Sequence, residues 1–551
     1  MVTVTLPSGR QLALPSGTVV ERIFEDPEFR SPPSPIVAAL VNKALTSLSY
    51  PLEVNCRIEP VMLASRDGAN VYRRSLCFLL AIAAKRLFPE RRLIIGHSLG
   101  HGYLYFFEGR GEVSEEELEK LRRAMRELVQ RSVPIRREVI SYTEALRYFQ
   151  RSNQPDTALL LANRNDPKVP VYTCDGFMDL AHAPLLPHTG LLSTFQIRAS
   201  PPGFLLRYPS WNRPQTIEAF EDNPVLFSIY REYKDWGKIL GVSCVGHLNE
   251  LIAGRRVREF IQVAEALQDK KIAQIADRIN ERRDVVRLIL VAGPSASGKT
   301  TFAKKLAIQL RVLGRNPVLI SQDDYFLSKE LTPRDEEGNY DFEALQAIDI
   351  PLLNEQLTRL LAGEEVLSPR FDFHTSQRKA GGVPLKLPDR SVLILEGIHC
   401  LNDELTPAIP AAWKYKIYVS ALTQLNLDDH NRISTTDNRL LRRLVRDSQF
   451  RGHSALSTLE RWQSVRSGED RNIFPFQNKA DSAFNSALDY ELAVLKVYAE
   501  PLLKTVKPDQ EQFHEALRLL SFIDNFAPIP PGWVPDYSIL REFIGESAFK
   551  Y

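Results

Sequence analysis

Several features that would narrow the function of this 551-residue chain are missing. The five cysteines (Cys56, Cys77, Cys174, Cys244 and Cys400) lie far apart and form no C-x-x-C pair. That spacing gives no disulfide or zinc framework and reads as reduced thiols. No apolar run approaches the roughly 20 residues of a membrane-spanning helix. The first residues, M-V-T-V-T-L-P-S-G-R, have no apolar core behind a basic flank, so no signal peptide is expected and the expected compartment is the cytoplasm. Charge of either sign is not in excess: 70 Lys and Arg oppose 68 Asp and Glu, a net charge of +2, so composition demands no polyanionic partner. No internal repeat or low-complexity tract occurs. What remains is an ordinary soluble composition, 44% hydrophobic and 25% charged. The chain is too long for one core, and roughly three or four domains are expected.

One stretch organises the rest. The apolar run Leu288–Ala292 has the character of a buried strand and leads directly into Gly293-x4-Gly298-Lys299-Thr300, after which a helical pattern begins. This is the phosphate-binding loop form between a strand and a helix. Glycines let the backbone curl so that its N–H groups point inward at phosphates, and the following helix adds its positive end. Gly293, Ser295, Ala296, Ser297, Gly298, Lys299, Thr300 and Thr301 are the expected nucleotide-binding residues. Lys299 is placed to reach the β- and γ-phosphates, and the Thr300 hydroxyl to hold Mg²⁺.

Strand and helix signals alternate over residues 284–526, the mark of a parallel sheet with helices on both faces. The helix after the loop is expected to run to Leu313 and stop at Gly314. The strand P-V-L-I-S ends in Gln322-Asp323-Asp324-Tyr325-Phe326, and S-V-L-I-L ends in Glu396. Ligands of such sheets bind outside the carboxyl ends of strands. An acid at the first position suits a base that accepts a hydroxyl proton, and one at the second suits Mg²⁺. Further on, Arg439, Arg442, Arg443 and Arg446 share a helical face, with Arg451 beyond. Few acids lie near them in sequence, so they are expected to close over phosphates.

These motifs together resemble the uridine/cytidine kinase and phosphoribulokinase family: G-P-S-A-S-G-K-T-T, S-Q-D-D-Y-F, F-D-F-H-T-S-Q-R-K, L-E-G-I and R-L-L-R-R-L-V-R-D. The resemblance covers most of residues 286–500. It implies an ATP:nucleoside phosphotransferase using ATP and Mg²⁺. Asp323 would be the general base, Thr300 and Glu396 the metal-holding pair, and Lys299, Arg443, Arg446 and Arg451 the groups gripping the transferred phosphoryl. The implied substrate pocket comprises Asp341, Glu343, Phe371, His374, Arg378 and Arg461. Uridine kinases carry Y-D-F-x-x-H-S-R where this chain has Phe371-Asp372-Phe373-His374-Thr375-Ser376-Gln377-Arg378. The base-stacking tyrosine is thus a phenylalanine, and the acceptor is left open.

Residues 1–63 read as strand, hairpin turn at Pro7-Ser8-Gly9, a short helix opened by Thr18, and further strands. They resemble the β-grasp TGS module of threonyl-tRNA synthetases and some GTPases. Residues 64–235 resemble the α+β editing-type second domain of threonyl-tRNA synthetase, through I-I-G-H-S-L-G-H-G-Y-L-Y-F-F and F-M-D-L-A-H-A-P-L-L-P-H-T-G. Ser114-x-x-Glu117 is a capping box. That family's H-S-x-x-H is here Arg74-Ser75-Leu76-Cys77-Phe78, and its C-x-x-x-H is Ala181-His182-Ala183-Pro184-Leu185. All four ligand-type positions are lost, so its hydrolytic site is not carried over. His97, His101, His182 and His188 offer the ligands of a new cluster, but Gly96–Gly102 is read instead as a turn carrying polar histidines.

The expected architecture is therefore an α/β phosphate-loop kinase with a parallel sheet (285–526), preceded by a β-grasp TGS-like module (1–63) and an α+β synthetase-like module (64–235). A helical linker (236–284), amphipathic with interspersed Lys and Arg and read as packed, joins them, and an aromatic tail (527–551) docks at the end. The expected partners are a small nucleoside or related hydroxyl substrate and a second copy of the chain. Contact of the front half with RNA, in a regulatory ATP-binding protein, and nucleotide hydrolysis without an acceptor are the alternatives.

Overall fold

Residues 1–63 form a five-stranded mixed sheet and a short two-stranded ladder between Thr18–Val19 and Pro51–Leu52. The computed structural model describes every residue except 110–111, 221, 223, 225–236, 238, 335–337, 339, 373–374, 376, 380 and 551. In the sheet, strands run in the order Gln11–Leu14, Val2–Thr5, Cys56–Met62, Ile36–Val41, Ala44–Thr46, with the second and third parallel and the others antiparallel. The helix expected after Thr18 is two short 3-10 turns, Val20–Glu25 and Pro27–Phe29. Pro27 cannot continue a helix, and only Val20 and Ile23, three residues apart, are buried, a spacing that suits three residues per turn.

The second module is built around the helix Arg66–Leu87, capped by the Ser65 hydroxyl, which accepts from the Gly68 amide at 3.1 Å. Its inner face packs with a four-stranded antiparallel sheet (Gln196–Ser200, Gly203–Arg207, Gly102–Phe107, Leu93–Ser98) and the helix Glu115–Arg131 in one apolar core. The Ser114–Glu117 capping box is formed in both directions. A three-stranded antiparallel sheet, Arg136–Ser141, Lys168–Cys174 and Phe177–Leu180, completes the module.

The connector is two helices, Val245–Ala253 and Val257–Glu281. Its apolar stripe is packed into the fold rather than left to solvent. Val257, Phe260, Ile261, Ile272, Ile275 and Ile279 are buried in the same core as the helix behind the phosphate loop. Buried Glu265 accepts from the Tyr490 hydroxyl at 2.5 Å. Apart from Glu265, the charged residues of this helix lie largely on its outer face, as in an amphipathic helix.

The C-terminal module is a five-stranded, all-parallel sheet. Its strands are β1 (Leu288–Ala292), β2 (Asn316–Ser321), β3 (Ser391–Glu396), β4 (Lys414–Ser420) and β5 (Ser482–Asn485), in the order β2-β3-β1-β4-β5. Every residue of the central strand β1 is fully buried. Each large apolar side chain there contributes about 1.5–3 kcal/mol, which fixes an all-apolar strand at the centre of the sheet. Helix α1 (Lys299–Val312) follows β1, and α2 (Thr435–Phe450), α3 (Ala455–Asn472) and α4 (Glu491–Leu503) pack around the sheet. The tail returns to this core, where Ile539, Leu540, Phe543 and Ile544 are buried. Among the described residues no helix is long and apolar enough to cross a membrane.

Candidate active site

The loop from β1 to α1 is curled too tightly for side chains at two points. A Cβ on Gly293 would lie 2.0 Å from the Val419 carbonyl oxygen, and Gly298 has φ +82°. Ala296 also has positive φ, 58°, a conformation that L-residues adopt only when their surroundings impose it. Lys299 Nζ folds back and donates to the Pro294 carbonyl at 3.3 Å.

Three strand ends meet in front of this loop. Glu396, closing β3, accepts from the Thr300 hydroxyl at 3.3 Å and the Ser321 hydroxyl at 3.1 Å. Ser321, closing β2, in turn accepts from the Asp323 amide at 3.3 Å. Parallel pairing of β1, β2 and β3 brings residues far apart in sequence to one edge, as strand carboxyl ends require. Burial pushes the Glu396 carboxyl up to about 7, with the Asp323 charge adding. Burial also raises the Asp323 carboxyl, opposed by the charges of Lys299 and Arg451. Asp324 turns away. It accepts from Arg370 at 2.6 Å and from the Phe371 amide at 3.3 Å, anchoring the neighbouring loop.

The arginines of α2 divide into two kinds. Arg439 and Arg442 are fully buried beneath the loop and do not close over it. Arg439 pairs with Glu469 and donates to the Ser295 carbonyl at 3.0 Å, while Glu469 accepts from the Ser295 amide at 3.0 Å. Arg442 pairs with Glu491 (Nε to carboxylate 3.0 Å) and donates to the carbonyls of Ala296 (3.3 Å) and Ser486 (2.9 Å). The expected scarcity of acids is thus overturned, because the partners come from α3 and α4. Arg443 faces the loop, donating to the Ser295 hydroxyl at 2.8 Å. Arg443, Arg446 and Arg451 gather around the single carboxylate of Asp447 at 3.2, 2.8 and 3.7 Å. Three cations around one acid leave a surplus of positive charge beside Asp323. The like charge of Arg446, with burial, pushes the Arg451 guanidinium down to about 10.

The residues assigned to the acceptor pocket separate. Glu343 belongs to the site's surroundings: burial pushes its carboxyl up to about 7, drawn down by the Arg443 charge. It lies tight against α3, where a Cβ on Gly468 would meet the Glu343 Cβ at 2.4 Å. Asp341 caps the Glu343 amide at 3.1 Å and pairs with Arg471 at 3.3 Å. Phe371 is only 9% exposed and packs on Phe326, ring centroids 5.5 Å apart, so its ring is part of the core. Arg378 is tied to Asp349 at 3.1 Å and to the carbonyls of Tyr325 and Phe326, a bracing role. Arg461 is exposed and lies 3.5 Å from His453. His374 lies outside the described residues.

Three acids that sequence reading missed touch or buttress the loop. Glu469 and Glu491 are isolated helix positions with no local motif. Glu542, from the tail, accepts from the Thr301 amide at 3.0 Å and its hydroxyl at 2.6 Å.

In the front half the four histidines do not converge. His182 bonds Asp428 at 2.6 Å, His188 the Ser132 hydroxyl at 2.9 Å, and His101 lies 3.2 Å from Glu218. Burial pushes His97 down to about 3. Phe78 and Leu185, at two lost ligand-type positions, are buried in the apolar core.

A nucleotide-cradling loop, a strand-end acid pair and an arginine wall on a 2-3-1-4-5 parallel sheet define a phosphate-loop phosphotransferase-type domain. Residues 288–493 match the Phosphoribulokinase / Uridine kinase family and form a domain of it. The N-terminal region matches threonine–tRNA ligases: that of Rubrobacter xylanophilus at 32% identity over 42% of this chain and 34% of the ligase, and that of Symbiobacterium thermophilum at 32% over 36% and 30%. The chain thus spans about a third of the length of these curated relatives. Among solved structures, a possible uridine kinase from Bacillus stearothermophilus aligns with 38% of this chain and 100% of its own, at 17% identity and TM-score 0.25.

Proposed function

We propose that this chain is an ATP-dependent phosphotransferase whose acceptor is the 5′-hydroxyl of a uridine- or cytidine-like nucleoside. The observation that carries this reading is the convergence of Thr300, in the first turn of α1, with Glu396 and Asp323 at the carboxyl ends of β3 and β2, beside three arginines that share the one carboxylate of Asp447.

The residues suit the nucleotide and its metal. The amides of Ser295 and Thr301 already hold carboxylate oxygens, acceptors of the kind a phosphate presents. Thr300 and Glu396 would hold Mg²⁺, and Lys299 the terminal phosphates. Bound Mg²⁺ supplies positive charge to the phosphate oxygens. Asp323 accepts the proton of the attacking hydroxyl, and its raised pKa moves it toward the range in which a base works well. Arg443, Arg446 and Arg451 stabilise charge spreading over the transferred group. Glu343, poised near neutrality beside Arg443, orients the acceptor's hydroxyls.

A second acceptor class is favoured by one observation. Phe371 offers no free face for stacking a base, which suits another small hydroxyl compound. Full-length protein with γ-labelled ATP, Mg²⁺ and a panel of nucleosides, sugars and hydroxy acids decides between them. Label on a pyrimidine nucleoside is the expected result. Label only on a sugar or hydroxy acid would replace the acceptor, and label on none would overturn the phosphotransferase reading.

A further inference from the structure

Three arginines at the seam between the front half and α2 lack a carboxylate partner among the described residues. On the helix Arg66–Leu87, Arg73 spends one nitrogen on Asn70 Oδ1 at 2.7 Å, and its buried Nε has no partner. Its neighbour Arg74 makes no ion pair among the described residues. Arg432, in the segment entering α2, has a buried Nη2 without a partner. The guanidinium groups of Arg73 and Arg432 both lie against the ring of Tyr103, at 5.5 and 5.3 Å from its centroid. Arg73 is also 5.5 Å from the ring of Tyr208. Arg74 follows Arg73 on the same helix, and the charges of all three arginines oppose the rise that burial causes in the Cys77 thiol. The carboxylate facing Arg74, Asp437, is already held by both nitrogens of Arg518 at 2.8 Å. Burial and the like charges of Arg518 and Arg73 push the Arg74 guanidinium down to about 10.

Arg73, Arg74 and Arg432 are half-buried, and cations partly withdrawn from water without a counter-charge are unfavourable. Rings stacked against a guanidinium soften that penalty but do not neutralise it. We infer that Arg73, Arg74 and Arg432 form an anion site, separate from the phosphate-binding loop, for a phosphate group, free or carried on a small molecule. Planar, multidentate guanidinium groups match phosphate oxygens. Two of the unpartnered nitrogens, Arg73 Nε and Arg432 Nη2, are buried, which favours a small anion over a polynucleotide backbone. The Tyr103 ring, already flanked by two guanidinium groups, leaves the phosphate as the part recognised. The site lies at the entry to α2, which carries Arg443 and Arg446, so its occupancy bears on the arginine wall.

Equilibrium binding of labelled inorganic phosphate to the full chain tests this, with Lys299→Met to weaken the loop. Lys299→Met is expected to retain one phosphate site per chain, and adding Arg74→Gln and Arg432→Gln to weaken it at least about tenfold. No phosphate bound to Lys299→Met, or undiminished binding to the triple variant, would overturn the inference. So would tRNA binding that depends on these arginines with no binding of small phosphates. In the Lys299→Met background, a nucleoside monophosphate binding more tightly than phosphate assigns the site to phosphomonoesters, and equal or weaker binding assigns it to free phosphate. Thermal unfolding in phosphate-free buffer is the second measurement. Arg74→Gln is expected to melt at or above the wild-type temperature, since a half-buried like charge is removed. A fall of many degrees would show the charge already compensated within the fold and overturn the inference.

Discussion

The carboxylate of Glu542 is bonded to both the amide (3.0 Å) and the hydroxyl (2.6 Å) of Thr301, in the first turn of α1. A C-terminal residue thereby places negative charge at the positive end of the helix that a phosphate-binding loop offers to nucleotide. Glu542→Gln removes the charge while keeping the shape. ATP affinity, read by calorimetry, is expected to rise by about three- to tenfold, with stability falling by no more than about 1 kcal/mol. A loss of affinity would mean that the carboxylate holds the loop in its binding shape.

Arg442 and Arg443 are sequence neighbours with different tasks. Arg442→Leu strands the buried carboxylate of Glu491 and is expected to destabilise the chain by about 3–5 kcal/mol in denaturant unfolding. Adding Glu491→Leu should recover most of that loss. Arg443→Ala should change stability by no more than about 1 kcal/mol while lowering turnover by about 10²–10³-fold. Equal stability losses for the two single variants would contradict the division between buried and site-facing arginines.

Asp489 gives a pH signature away from the site. Burial pushes its carboxyl up to about 7, with the Glu491 charge adding. The folded chain therefore keeps a proton that the unfolded chain releases near pH 4. This group's contribution to stability falls as pH rises from about 4 to 7 and is constant above. Asp489→Asn removes that slope. The melting temperature of the variant relative to wild type should climb between pH 5 and 7 and then level. A difference that does not change with pH would show that Asp489 is ionised throughout.

Much of the C-terminal module was legible because its signals are local. The all-apolar run Leu288–Ala292, the loop glycines and an acid at each of two strand ends stand in the sequence as contiguous patterns, whatever distant partners they meet in the fold. The family match over residues 288–493 agrees with that reading. Capping at Ser114 was legible for the same reason. What was not legible depends on partners remote in sequence. Arg439 and Arg442 share a helical face with the site-facing arginines, and only the fold supplies Glu469 and Glu491 to bury them. The apolar stripe of the helix Val257–Glu281 shows in its spacing, but only the fold shows that α1 is what packs against it. Phe371 occupies a stacking position by motif but a core position by packing against Phe326. Glu542 reaches Thr301 across 241 residues, and no pattern near it announces that contact.

The central claim is that Asp323 takes the acceptor's proton at a site where nucleotide is held by other groups. Asp323→Asn keeps the side chain's size and removes its basicity. Single-turnover transfer from γ-labelled ATP to the accepted substrate, paired with ATP affinity for the same protein, tests it directly. The expected result is transfer slowed by about 10²–10⁴-fold with ATP affinity changed by no more than a few-fold. Transfer at the wild-type rate, or a loss confined to ATP binding, would contradict it.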